Sequence, residues 1–117
     1  MQTSHMERVQ HPNGYGKRIG DCGDTIEFFL TCRGNRLMQV AFQVEGCLNT
    51  VACCNTIVSM CQGSTLDQAW EITPEQVIDF LKTLPEDHFH CAQLAVGAFY
   101  LALADIKKRI PGYGLKK

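Results

Sequence analysis

The hydrophobic period of this chain changes once, at Gly46-Cys47, and that change governs what the chain can fold into. Before it, from Thr25 to Arg33, apolar residues alternate, with Ile26, Phe28, Leu30 and Cys32 on one face of an extended segment. Gly34-Asn35 reads as a two-residue hairpin turn. Met38, Val40, Phe42 and Val44 then alternate with Gln39, Gln43 and Glu45. A third strand is expected over residues 15–20. After the change, Leu48, Val51, Ala52, Ile57, Val58 and Met60 recur at helical spacing through residues 48–62, and Gly63 is a stop. Thr65 with Gln68 forms a capping box for a short helix reaching Trp70. Thr73-Pro74-Glu75-Gln76 forms another, for a helix carrying Val77, Ile78 and Leu81. Pro85 interrupts. Asp87 is the expected N-cap of a last helix over residues 88–110, with a stripe of Leu94, Ala98, Leu101, Ala102 and Ile106. Lys107, Lys108 and Arg109 suit its C-terminal dipole, and Pro111-Gly112 ends it. A hairpin followed by helices predicts an α+β domain, a small antiparallel sheet with helices packed on one face.

The 117 residues suffice for one domain with a modest core. Residues 1–20 are expected to be a partly flexible polar arm and residues 111–117 a flexible tail. Eleven Lys/Arg stand against 12 Asp/Glu, which argues against nucleic-acid binding by bulk electrostatics. No apolar run approaches the roughly 20 residues of a membrane span, and the first ten residues lack the apolar stretch of an export signal. A soluble, cytoplasmic protein is the expectation.

Seven cysteines, Cys22, Cys32, Cys47, Cys53, Cys54, Cys61 and Cys91, are many for such a chain. Without an export signal they are expected to act as thiols or metal ligands rather than as disulfides. There is no Cys-x-x-Cys, so any metal site must be assembled from distant parts of the chain. Three cysteines sit at element boundaries: Cys22 at the entry to the hairpin, Cys47 between hairpin and helix, and Cys91 in the first turn of the last helix. The latter two lie near helix N-termini, where partial positive charge favours the thiolate. Asp24 adds an oxygen donor and His90 an imidazole. Three Cys with an Asp or His complete a tetrahedral zinc site, and the same thiolates suit an iron–sulfur cluster. A boundary cysteine is more often a small packed hydrophobe, so composition alone leaves both roles open.

Three motifs carry the reading further: Cys22-Gly23-Asp24, Gly46-Cys47 with Ala52 five residues on, and Leu84-Pro85 followed by His90-Cys91. In this order and spacing they resemble the IscU/NifU N-terminal family of iron–sulfur cluster assembly scaffolds, over His11 to Ile106. The 44 positions between Cys47 and Cys91 look like the compact IscU type rather than the SufU type with its insertion. The resemblance implies an IscU/SufE-like fold, in agreement with the pattern above. It implies an assembly scaffold rather than an enzyme. Such a scaffold accepts persulfide sulfur from a cysteine desulfurase and iron and electrons from an iron donor and a reductant. It builds a transient [2Fe–2S] cluster and passes it to recipient apo-proteins. Cys22, Cys47 and Cys91 match the family's ligand cysteines, Asp24 the aspartate that keeps the cluster labile, His90 an alternative ligand, and Cys91 the persulfide acceptor. A carboxylate in place of a fourth thiolate is a harder ligand and holds iron less tightly. The same donors would take zinc in the isolated protein. A zinc-containing sulfurtransferase relay that builds no cluster is therefore the alternative, and a partner-binding module without metal chemistry is a third reading.

The chain departs from the family where the pattern Leu-Pro-Pro-Val-Lys is expected. Here the residues are Leu84-Pro85-Glu86-Asp87-His88. That segment is the docking sequence for a dedicated Hsp70-type chaperone, so recognition by the chaperone is not implied here. His88 replaces the Lys, a titrating residue for a permanent charge, and is either an added ligand or proton carrier or a solvated residue. Cys53, Cys54 and Cys61 are read as packing residues. Cys54, seven residues along a helix from Cys47, would lie about 10 Å away along the axis. Cys32 is read as core on the hairpin's buried face, Trp70 as core, and His5 and His11 as solvated arm residues.

Overall fold

The computed structural model describes residues 14–20, 23–82 and 84–109. Strands β1 (Gly14–Ile19), β2 (Thr25–Arg33) and β3 (Arg36–Glu45) form an antiparallel meander in the order β1-β2-β3. Helices α1 (Leu48–Cys61), α2 (Leu66–Trp70), α3 (Pro74–Leu81) and α4 (Phe89–Arg109) follow, with a 3-10 turn over Glu86–His88 leading into α4. The α+β expectation holds, third strand included. Residues 14–19 therefore belong to the sheet and not to a flexible arm. The rest of the expected arm, with His5 and His11, and the expected tail lie outside the described residues.

The β2–β3 hairpin turns at Gly34-Asn35 with Gly34 at φ 62°, a value for which glycine carries no steric cost. Ile26, Phe28 and Leu30 are fully buried on one face, and Cys32 is half-buried at its end. One expectation fails on β3: Met38 is exposed and Leu37 is buried in its place. The pairing shifts from Thr31↔Gln39 to Cys32↔Leu37, so a bulge adds one residue and inverts the inward parity beyond it. Backbone bonds from Leu37 N–H to Ser64 O (2.8 Å) and from Gly63 N–H to Leu37 O (2.9 Å) tie this inverted end to the end of α1.

Both capping boxes form, Thr65 with Gln68 and Thr73 with Gln76, each hydroxyl accepting from a backbone N–H at 3.2 Å. Asp87 is not the N-cap of the last helix. It lies inside the 3-10 turn, and its carboxylate instead takes the Nδ1 of His88 at 3.0 Å. Pro85, locked in extended backbone, precedes that turn and delays the α-helix to Phe89.

Helix α4 packs against β1, β2, α1 and α3. Its fully buried Phe99 meets Phe28 edge-on, ring centroids 5.5 Å apart. Burying a side chain of that size stabilises the fold by about 1.5–3 kcal/mol. Leu101, expected in the stripe, is exposed, because the buried face runs through Ala95, Ala98, Ala102 and Ile106 and position 101 falls outside it. By length and composition alone Glu86–Lys108 is long and apolar enough to cross a membrane, which the sequence reading did not expect; half of it is buried within the fold, as a core helix is. Strand β1 rides directly on the backbone of α4. A Cβ on Gly16 would lie 2.4 Å from the Ala102 nitrogen and 2.5 Å from the Ala98 oxygen, so only glycine permits this approach. On α1, Cys53, Cys54 and Cys61 are fully buried in the core, and Trp70 packs at its edge against Tyr100.

Candidate metal centre

The register of the hairpin builds the site. Thr25 pairs with Glu45, so the residues just beyond, Asp24 before β2 and Gly46-Cys47 after β3, emerge side by side at one edge of the sheet. The loop joining β1 to β2 is closed by Gly23 N–H to Gly20 O and Gly20 N–H to Asp24 O, both 2.9 Å. Gly46 is required here by close approach. A Cβ on it would lie 2.4 Å from Asp24 Cγ and 2.7 Å from each carboxylate oxygen. Cys47 is the N-cap of α1, its carbonyl accepting from Thr50 N–H at 3.1 Å and Val51 N–H at 3.3 Å. Cys91 is the third residue of α4, which packs against α1.

These elements place one ligand atom each from Asp24, Cys47 and Cys91 within 4.8 Å of one another. The two sulfurs are 3.9 Å apart. Among the described residues this is the group able to hold a metal ion. Cys22 lies outside the described residues. His90 stands beside the group: its Nε2 is 3.8 Å from Cys91 Sγ, and its ring stacks on that of His88, centroids 6.0 Å apart. His88 itself is held by Asp87.

Sequence reasoning missed Thr50. It is fully buried, and its hydroxyl donates to Asp24 Oδ2 at 2.6 Å while lying 3.4 Å from Cys47 Sγ. The available signal was its position in α1, three residues beyond the N-cap, where a side chain turns back towards the N-terminus. An isolated threonine in a helix does not announce that.

The two thiols differ. Burial raises the Cys47 thiol, but the Thr50 hydroxyl, the amides of Thr50 and Asn49, and Cys91 outweigh it, and the value falls below the usual thiol range. Cys91 moves the other way. Burial pushes its thiol up, the Thr50 hydroxyl opposes this, and proximity to Cys47 and Asp24 adds to it. The expectation that both helix N-termini favour thiolate therefore holds for Cys47, which faces solvent, and fails for Cys91, which is 1% exposed. Desolvation costs the buried thiolate more than the helix end returns. Deeper in α1, burial and then the nearby Cys91 and Cys47 push Cys53 up to about 12. Two sulfurs and a carboxylate with one open side suit zinc or iron.

The NifU-like N terminal domain family matches residues 6–111. Iron-sulfur cluster assembly scaffold protein IscU 1 of Archaeoglobus fulgidus is 30% identical over 103 residues, covering 86% of this chain and 67% of that protein. IscU of Haemophilus influenzae is 30% identical over 89 residues, covering 75% and 70%. Among solved structures, a scaffold protein for the SUF system from Fervidobacterium islandicum superimposes with TM-score 0.72 at 17% identity, over 86% of this chain and 87% of that one. The N-terminal part of a NifU-like protein from Brucella abortus gives 0.69 at 13% identity, over 93% and 89%. These two show the fold. With a match across nearly its whole length, this chain belongs to the NifU-like N-terminal domain family, the IscU/NifU type.

Proposed function

We propose that this protein is a cytoplasmic scaffold for iron–sulfur cluster assembly. The observation that carries the reading is the convergence of Asp24, Cys47 and Cys91 at one sheet edge, in a family whose relatives are named as such scaffolds. In this reading a [2Fe–2S] cluster is the cargo. Cys22, Cys47 and Cys91 hold it, with Asp24 or His90 as the fourth ligand. Cys91 accepts the sulfur of a desulfurase persulfide. Because Cys91 is buried, a donor meets the exposed Cys47 first. A cysteine desulfurase, an iron donor, a reductant and recipient apo-proteins are the partners this requires.

Anaerobic reconstitution tests the reading. Apo-protein is mixed with a cysteine desulfurase, cysteine, ferrous iron and a reductant. Visible absorption, iron and sulfide are followed per chain, with Cys47→Ser and Cys91→Ser as controls. The expected result is a cluster that needs both cysteines and moves to an apo-ferredoxin. Zinc retention with persulfide on a cysteine and no cluster would replace the scaffold by a zinc-containing sulfur relay. Wild-type cluster yield in both variants would remove these residues from the site.

A further inference from the structure

The buried hydroxyl of Thr50 lies between two of the three clustered donors. A threonine hydroxyl has one proton to give and lone pairs to receive. At 2.6 Å from Asp24 Oδ2 the proton is committed to the carboxylate, which leaves the oxygen to face the Cys47 sulfur at 3.4 Å. The hydroxyl is fully buried, so water does not compete for it. Its place is fixed by α1, whose first turn closes on the Cys47 carbonyl through Thr50's own N–H. On its other side the Asp24 carboxylate is stopped by Gly46, where even one added carbon would overlap it. The carboxylate is thus held between the Gly46 backbone and the Thr50 hydroxyl.

We propose that Thr50 is the positioning residue of this metal site: its hydroxyl orients the Asp24 carboxylate toward the two sulfurs. The inference rests on the reading of Asp24, Cys47 and Cys91 as metal ligands. A carboxylate that could turn freely would offer either oxygen, or both, and the geometry would vary from one bound ion to the next. Hydrogen bonds of this outer kind fix the orientation of a ligand and commonly change metal affinity by 10–100-fold when removed.

Cobalt(II) is the probe, because its thiolate charge-transfer and d–d bands report affinity and geometry without any cluster chemistry. Thr50→Val keeps the volume and removes the hydroxyl. It is expected to weaken cobalt binding by about 10–100-fold, and Thr50→Ser to restore it. In an Asp24→Asn background Thr50→Val should cost much less, because the group it orients has already lost its charge. Equal cobalt affinity for Thr50→Val and wild type overturns the inference. So does a loss that Thr50→Ser does not rescue, or one that persists in full in the Asp24→Asn background. A wild-type protein that gives no cobalt–thiolate bands overturns the metal-site reading itself, and the role of Thr50 with it.

Discussion

Gly46→Ala separates the site from the fold. The new Cβ would stand 2.4 Å from Asp24 Cγ and 2.7 Å from both carboxylate oxygens. Non-bonded heavy atoms settle at about 3.5–4 Å, so the carboxylate must retreat by about 1 Å. Thr50 stands opposite Gly46, so the carboxylate has no room to withdraw along its 2.6 Å bond to Thr50 and must swing aside, which breaks that bond. Losing a hydrogen bond to a charged group costs about 1.5–3 kcal/mol. Gly46 is exposed and has no left-handed backbone, so alanine fits its conformation and returns about 0.4–1 kcal/mol by restricting the unfolded chain. The net loss of stability is about 1–2 kcal/mol, a melting shift of roughly 4–8 °C for a chain this size. Metal affinity falls as well, by about 10–100-fold, because the oxygen donor has left its place. Calorimetry gives the first number and a cobalt(II) titration the second. Wild-type cobalt affinity would refute the argument that the Gly46 contact sets the position of Asp24. A collapse in stability of more than about 4 kcal/mol, well above the estimate built from one hydrogen bond, would refute the claim that Gly46 serves the site and not the fold.

Three further outcomes are expected. With iodoacetamide at near-neutral pH, mass spectrometry should find Cys47 alkylated first, since it is exposed and its thiol is lowered, with Cys91 slower and Cys53, Cys54 and Cys61 modified only on unfolding. Burial raises Cys53 and Cys61 to about 12 and also pushes Cys54 well up, so the native state keeps protons that the unfolded chain releases above its ordinary thiol value of 9.0. Stability should be fully present below that pH and fall above it by about 1.4 kcal/mol per pH unit for each thiol, as urea midpoints across pH 8–11 will show; a flat profile would contradict it. Gly16→Ala should lower stability by about 3 kcal/mol in urea unfolding, because its Cβ would meet the backbone of α4 and not a side chain able to move.

Much of this fold was legible because its local signals agree with its tertiary packing. The period-2 run from Thr25, the turn at Gly34-Asn35 and the two capping boxes are each decided within a few residues, and the structure keeps all of them. What was illegible depended on contacts between distant segments. Nothing local marks the bulge that buries Leu37 in place of Met38; it is fixed by bonding to Gly63 and Ser64, which follow α1. Helix α4 has apolar residues on most of its circumference, so periodicity could not tell exposed Leu101 from buried Leu103. At the site, motif spacing pointed to Asp24, Cys47 and Cys91, and the structure brings them together. Thr50 stayed hidden because its role is conferred by Asp24, 26 residues away in the chain.

The arrangement also grades the charge of the empty site. Three pieces of chain meet there, the β1–β2 loop, the start of α1 and the first turn of α4, and only the finished fold assembles them. Two negative groups about 4–5 Å apart would repel by about 3–4 kcal/mol at the effective dielectric of a protein surface, so an empty site of carboxylate and two thiolates would strain against itself. Here the charge is graded. Asp24 is tied to Thr50, Cys47 is disposed to ionise, and Cys91 is disposed to keep its proton. An arriving cation must displace the Cys91 proton to gain its last sulfur, so uptake releases a proton and return of that proton helps departure. Metal affinity at this site should therefore fall as the pH falls, and the buried Cys91 thiol is the group that makes it do so.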